Sequence, residues 1–201
     1  MVAKAKVCVL TGYGINCDYE TEYAFKIAGA DAERVHINDL LDGKKNIHDY
    51  HILAFPGGFS FGDDIASGKV FAAKIKSVLF DDLKRFVKDE KLIIGICNGF
   101  QIMVKMGLLP DMDAGQTVTL SHNDSGKFED RWVYLAINKK SPCIFTKGIE
   151  KIYLPIRHGE GKFIAKDPNI LKNLEKNILV ALKYCDEKGK LSNRYPENPN
   201  G

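Results

Sequence analysis

The residue best suited to chemistry in this 201-residue chain is a cysteine held between two glycines. Cys97 lies in GICNGFQ (95–101), between an apolar strand pattern and a helical pattern. A nucleophile at the carboxyl end of a buried strand sits on a sharp turn, which needs neighbours with little or no side chain. Gly95 and Gly99 meet that need, and the helix N-terminus would favour the thiolate. The pattern predicts a nucleophilic Cys97; the alternative is a structural cysteine buried at a strand end.

A second glycine-rich turn, PGG (56–58), follows the apolar run HILAF (51–55). Glycines at such a place let backbone N–H groups approach a ligand without an intervening Cβ. Fixed N–H donors of this kind form an oxyanion hole, which stabilises the charge that develops on a carbonyl oxygen. Alone, this sequence favours an ordinary tight turn. Together with a nucleophile on a later strand, it predicts that Gly57 and Gly58 belong to the same site.

Polar residues in the second half form a third group, in SHNDSGKFEDRW (121–132) and PIRHGEGKF (155–163). His158 and the backbone donors of HGEG could face a ligand, and Arg131 could bind a carboxylate through its forked guanidinium. A solvated turn between two antiparallel strands explains each segment at least as well.

The elements that must position these groups follow from the apolar pattern. Short apolar runs at 6–10, 34–37, 51–55 and 91–96 alternate with helical patterns over 18–30 and 66–87. Strands that are apolar throughout and alternate with helices predict a mainly parallel α/β sheet with helices on both faces. After Pro110, period-two alternation predicts a small antiparallel extension of the same domain.

Composition excludes several classes of protein. The chain is 45% hydrophobic and 27% charged with a formal charge of +3, which is typical of one globular domain over residues 1–201. No basic block is interleaved with aromatics, so we expect no nucleic-acid partner. The apolar run at the N-terminus is too short for a signal peptide or a membrane span. Five scattered cysteines without zinc spacing predict free thiols, no metal and a cytoplasmic location.

In their order along the chain, PGGFSFGD, GICNGFQ, HNDSGKFEDRW and PIRHGEG resemble the class I (triad) glutamine amidotransferases. GICNGFQ is similar to the family's G-x-C-x-G-x-Q signature, which includes Gln101. FGDDIASG and HGEG narrow the resemblance to the glutaminase subunits of purine biosynthesis. The resemblance covers nearly the whole chain and implies the family's flavodoxin-like fold.

The resemblance also implies a reaction. Cys97 would attack the side-chain amide of L-glutamine, giving a γ-glutamyl thioester and ammonia. The N–H groups of Gly58 and Asn98 would hold the oxyanion. The residues implied to seat the substrate are Gly57, Gln101, Asn123, Arg131, His158 and Gly159.

The implied partners are two further subunits. Ammonia would pass to a large synthetase subunit, which uses ATP and Mg²⁺ to aminate formylglycinamide ribonucleotide, and a small third subunit would bridge the two. No cofactor is expected in this chain itself.

The family's general base is a histidine followed two residues later by glutamate, and no histidine here matches it. The five histidines of the chain are His36, His48, His51, His122 and His158. We therefore expect that residues 1–201 lack the triad His/Glu segment and that turnover without it is slower by several orders of magnitude. Two alternatives remain: a cysteine α/β-hydrolase of the dienelactone hydrolase kind, against which Gln101 and PGG argue, and a non-catalytic DJ-1-like or pseudo-amidotransferase binding module.

Overall fold

The computed structural model describes residues 3–201, which divide into unit 1, ending at Gln116, and unit 2, Thr117–Gly201. The strands are β1 Lys6–Thr11, β2 Asp31–His36, β3 Ile52–Phe55, β4 Leu92–Gly95, β5 Val118–Ser121, β6 Glu129–Ile137, β7 Lys151–His158, β8 Lys162–Ala165 and β9 Leu182–Cys185. The α-helices are α1 Asp18–Ile27, α2 Ile37–Leu41, α3 Lys69–Lys88, α4 Asn98–Lys105 and α5 Pro168–Lys176. Short 3₁₀ turns cover Ile47–Asp49, Ser60–Asp63 and Ile144–Thr146.

The four strands of unit 1 form one parallel sheet in the order β2–β1–β3–β4. The predicted parallel sheet is confirmed, because each of the four apolar runs contributes to one of these strands. The order reverses between β1 and β3, so the loops after these two strands leave from the centre of the same edge. In open α/β sheets this switch point is where ligands bind.

Helices cover both faces of this sheet, as predicted. Successive strand residues point to opposite faces. On one face, large apolar side chains such as Leu53 and Phe55 pack against α2, α3 and α4. On the other, the smaller side chains of Val7, Val9 and Ala54 pack against Phe25 of α1.

The amphipathic pattern of α1 is only partly realised. Phe25 packs against the sheet, but Tyr23 and Ile27 are 67% and 69% exposed. Tyr19, four residues before Tyr23, is also exposed, and the guanidinium of Arg34 lies 3.4 Å from the centre of its ring. Helix α1 therefore packs one face against the sheet and leaves Tyr19, Tyr23 and Ile27 exposed on another, since residues four apart share a face.

Unit 2 contains two small antiparallel sheets, β5–β8 and β7–β6–β9. The predicted antiparallel extension is confirmed. Strand β8, whose four residues follow Gly161 directly, was not predicted. Among residues 3–201, no helix is both long and apolar enough to span a membrane.

Candidate active site

Cys97 occupies the turn between β4 and α4, with φ 55° and ψ −115°. A residue other than glycine is strained there and persists because its surroundings fix it. A Cβ on Gly99 would lie 1.9 Å from the backbone oxygen of Phe55, and one on Gly95 would lie 2.5 Å from the Met103 sulfur. The structure thus places Cys97 on the sharp strand-to-helix turn that its flanking glycines predicted.

The surroundings of the Cys97 sulfur act on its ionisation in opposite directions. The residue is exposed as a whole, but the sulfur is partly desolvated, which raises the pKa of the thiol. Hydrogen bonds from the backbone N–H groups of Asn98 and Gly58 lower that pKa by less, and the Asp63 carboxylate raises it slightly. The position of Cys97 at a helix N-terminus predicted a lowered pKa and a thiolate. In the structure, desolvation raises the pKa of Cys97 by more than the N–H donors lower it.

The histidines of unit 1 are engaged elsewhere. His51 Nδ1 accepts a hydrogen bond from the backbone of Lys6 at 2.9 Å, and His36 Nδ1 accepts one from the backbone of Asn38 at 3.2 Å. His48 lies beside acidic side chains at the end of α3. Among residues 3–116, no imidazole hydrogen-bonds to the Cys97 sulfur.

The PGG turn is held by the loop that follows β1. Ile15 and Gly58 form an isolated antiparallel bridge, and the Phe59 N–H donates to the Gly14 oxygen at 2.9 Å. Gly58 has φ 142°, and a Cβ on it would lie 2.7 Å from the Gly14 oxygen. Glycine is thus required at 58. Sequence reasoning missed this brace, although glycines directly after β1 were an available signal.

Two thiols flank Gly57. A Cβ on Gly57 would lie 3.3 Å from Cys97 Cβ and 3.5 Å from Cys17 Sγ. The Cys17 N–H also donates to the Gly57 oxygen at 3.2 Å. Burial, and then the negative charge of Glu20, raise the pKa of Cys17. Cys17 is therefore a neighbour of the candidate nucleophile that the sequence prediction did not include.

Asn98 is 1% exposed, and both the oxygen and the nitrogen of its side-chain amide form hydrogen bonds. Its Oδ1 accepts from the Ser60 N–H at 3.3 Å and from the Ser60 hydroxyl at 2.6 Å. Its Nδ2 donates to Asp63 Oδ1 at 3.0 Å and to Gln101 Oε1 at 3.1 Å. Gln101, predicted to seat the substrate, is itself buried and contacts Asn98.

In unit 2, Asn123 is buried and connects two loops. Its Nδ2 donates to the backbone oxygens of Lys127 and His158, at 3.0 and 2.9 Å, and its Oδ1 accepts from the Gly161 N–H at 3.1 Å. Its own N–H donates to the Gly159 oxygen at 3.0 Å. The structure thus brings Asn123, His158 and Gly159 together, with the Asn123 amide directed at backbone groups.

Arg131 is paired inside unit 2. Its Nη2 lies 2.6 Å from a Glu129 carboxylate oxygen and donates to the Tyr195 hydroxyl at 2.5 Å. One nitrogen of the guanidinium, which was predicted to bind a substrate carboxylate, therefore contacts an internal carboxylate, while the buried Nε has no hydrogen-bond partner within residues 3–201. His158 lies opposite Glu129 in the β6–β7 register. Burial lowers the pKa of His158, and Glu129 opposes this effect.

Gly161 makes room for the His158 imidazole, since a Cβ there would lie 2.3 Å from Cε1 of the ring. The last glycine of HGEG thus has a steric role. Within residues 3–201, no three or more His, Cys, Asp or Glu side chains are grouped as a metal site.

Known proteins resemble this chain in sequence and in fold. The profile of the CobB/CobQ-like glutamine amidotransferase domain matches residues 4–201. The phosphoribosylformylglycinamidine synthase subunit PurQ of Methanococcus maripaludis strain C7 is 52% identical over 200 residues, covering 98% of this chain and 73% of that protein. The PurQ subunit of Dehalococcoides mccartyi is 46% identical over 201 residues, covering 100% and 77%. In the structure of PurLQS from Thermotoga maritima, one chain is similar with a TM-score of 0.71 and 31% identity, covering 98% of this chain and 84% of that one.

Proposed function

The chain belongs to the CobB/CobQ-like glutamine amidotransferase domain family, and on that premise we propose how it acts. It is the glutaminase subunit of a phosphoribosylformylglycinamidine synthase, and it hydrolyses L-glutamine to supply ammonia for purine biosynthesis. The observation that carries the mechanism is the pair of backbone N–H groups, from Gly58 and Asn98, directed at the Cys97 sulfur.

The reaction begins when the Cys97 sulfur, having given up its proton, attacks the side-chain carbonyl carbon of glutamine. The carbonyl oxygen becomes an oxyanion between the N–H groups of Gly58 and Asn98, which stabilise charge that develops only in the transition state. The C–N bond then breaks, the nitrogen takes a proton and ammonia leaves. Water hydrolyses the remaining γ-glutamyl thioester to glutamate and restores the thiol.

The proton from Cys97 needs an acceptor, because burial raises the pKa of the thiol. The three histidines of unit 1 make other contacts. We infer that the general base, which takes this proton and returns it to the leaving nitrogen, comes from outside residues 3–116.

We propose that six residues contact the substrate. They are Gly57, Gln101, Asn123, Arg131, His158 and Gly159. Gly57 is best supported, because the position of its missing Cβ lies 3.3 Å from Cys97 Cβ. Gln101, Asn123 and Arg131 each contact other groups of the protein. These contacts favour a role in holding neighbouring residues in place.

The ammonia must reach a second active site. The similar curated proteins are named as a synthase subunit, and the similar structure is titled PurLQS. We propose that this chain likewise assembles with a large synthetase subunit, which holds the ATP and Mg²⁺, and with a small bridging subunit. This chain would need no cofactor of its own and would work in the cytoplasm, where its free thiols stay reduced.

The test uses the full-length protein in its complex and 6-diazo-5-oxo-norleucine, a glutamine analogue that alkylates the nucleophile. We expect peptide mapping to find the label on Cys97, with loss of glutamine-dependent synthesis and retention of synthesis from added ammonia. Cys97→Ser should behave like the labelled enzyme, whereas Cys143→Ser, at a turn within unit 2, serves as the matched control. Labelling confined to Cys17 or Cys143, or hydrolysis of esters without hydrolysis of glutamine, would contradict the assignment.

A further inference from the structure

A buried polar network joins the nucleophile turn to the turn that carries the second oxyanion donor. Its members are all in unit 1, and four of them are less than a tenth exposed. They are Ser60, Asp63, Ser67, Asn98 and Gln101.

Asn98 is the centre of this network. A primary amide has two N–H donors and an oxygen that accepts two hydrogen bonds. All four are used here, since the oxygen accepts twice from Ser60 and the nitrogen donates to Asp63 and to Gln101. The side chain therefore has one favoured orientation.

Asp63 extends the network to the start of α3. Its Oδ1 accepts from Asn98 and from the Gly68 N–H, at 3.0 and 3.3 Å, and its Oδ2 accepts from the Ser67 hydroxyl at 3.2 Å. The turn that it ends is strained, because Phe61 and Asp63 have φ angles of 53° and 54°. Strained turns persist only where their surroundings hold them.

Ser60 lies two residues after Gly58, so fixing Ser60 limits where the Gly58 N–H can point. We propose that the Asn98 side chain and Asp63 are positioning residues that clamp the 58–63 turn against Cys97. Asn98 thus supplies one oxyanion donor through its backbone and fixes the other through its side chain. The inference rests on the proposed glutaminase function and extends it to two side chains that need not touch the substrate.

Asp63 offers a matched pair of substitutions. Asp63→Asn keeps an oxygen to accept from Asn98 and Gly68, and its new amide can donate to the Ser67 hydroxyl. Asp63→Ala removes every one of these hydrogen bonds. Both remove the charge, so a difference between them does not come from the charge. Asp64→Ala, at the exposed neighbouring carboxylate, is the control.

We expect Asp63→Ala to lower the glutaminase kcat of the complex about 10- to 100-fold with KM nearly unchanged, since an oxyanion donor acts in the transition state. Asp63→Asn should stay within about threefold of the wild type. Its thiol-dependent limb of the pH–rate profile should move to lower pH, because the Asp63 charge raises the pKa of Cys97. Alkylation of Cys97 by iodoacetamide needs no oxyanion hole, so at equal thiolate fraction its rate should be the same in all four proteins.

Equal kcat losses in the Ala and Asn variants, or an unchanged kcat in Asp63→Ala, would overturn the proposal. If circular dichroism shows that Asp63→Ala does not fold, Ser60→Ala replaces it. This variant keeps the backbone hydrogen bond to Asn98 and should lower kcat about threefold to tenfold. An unchanged kcat in Ser60→Ala would overturn the proposal. A wild-type complex without glutaminase activity would instead refute the proposed function, so the two failures are distinguishable.

Discussion

Unit 1 and unit 2 hold their candidate site residues by different means. Around Cys97, close backbone approaches leave no space for a Cβ, as at Gly99 against the Phe55 oxygen. Around His158, side chains make the contacts, as with the Asn123 amide on the His158 backbone and the Arg131–Glu129 pair nearby on β6. Backbone cannot move away without breaking hydrogen bonds, whereas a side chain can change rotamer. The first region should therefore tolerate substitution much less than the second.

The largest effect is expected for Gly99→Ala. The new Cβ would lie 1.9 Å from the Phe55 oxygen, which already accepts a hydrogen bond from the Ile96 N–H at 3.0 Å. We expect the free energy of unfolding to fall by about 4 kcal/mol or more, with loss of activity. Urea unfolding followed by circular dichroism measures it.

Its control within unit 1 is Gly43→Ala. Gly43 has φ 72°, but nothing lies near its missing Cβ. Only the cost of the left-handed conformation remains, about 1–2 kcal/mol. Equal costs at positions 43 and 99 would show that close approach to Phe55 does not govern the turn.

An intermediate effect is expected for Gly161→Ala in unit 2. The added Cβ would meet the imidazole of His158, at 2.3 Å from Cε1, and the ring can swing away. We expect a cost of about 1–3 kcal/mol, together with a changed His158 signal in NMR spectra. If Gly161→Ala lowered the free energy of unfolding as much as Gly99→Ala, the two units would not differ in their tolerance of substitution.

The smallest effect is expected for Glu129→Gln, and it depends on pH. The pKa of the buried Glu129 carboxyl lies below its ordinary value. The hydrogen bond from the Ser125 hydroxyl is the largest cause, and the Arg131 guanidinium adds to it. Together they outweigh burial, which raises the pKa. A lowered pKa means that the carboxylate stabilises the folded state above its unfolded pKa and loses this contribution as pH falls through the folded pKa.

The wild type should therefore be more stable than Glu129→Gln at pH 7, and the difference should shrink as pH falls below about 4. Thermal unfolding of both proteins from pH 7 to pH 3 measures this. A difference that is constant over the whole range would contradict the role of the carboxylate charge.

The same contrast explains what could be predicted from the sequence. The turns at Cys97 and Gly58 were predictable because glycine and apolar runs are local signals of backbone geometry. Arg131, which pairs with Glu129 on the same strand, also contacts the Tyr195 ring, and this ring is 64 residues away in the sequence. The role of the Asn98 side chain depends on Ser60 and Asp63, which follow β3 and are brought to Asn98 by the pairing of β3 with β4. Contacts between distant segments leave no local pattern.

The two thiols on either side of Gly57 allow a direct check in solution. Cys17 and Cys97 lie in different tryptic peptides, 7–26 and 92–105. Cys8 shares the first peptide, but burial raises the pKa of its thiol to about 12, so it stays unmodified in the folded protein. A short bis-alkylating reagent would join the two peptides through Cys17 and Cys97. A single cross-linked mass would then report that the loop after β1 and the nucleophile turn lie side by side.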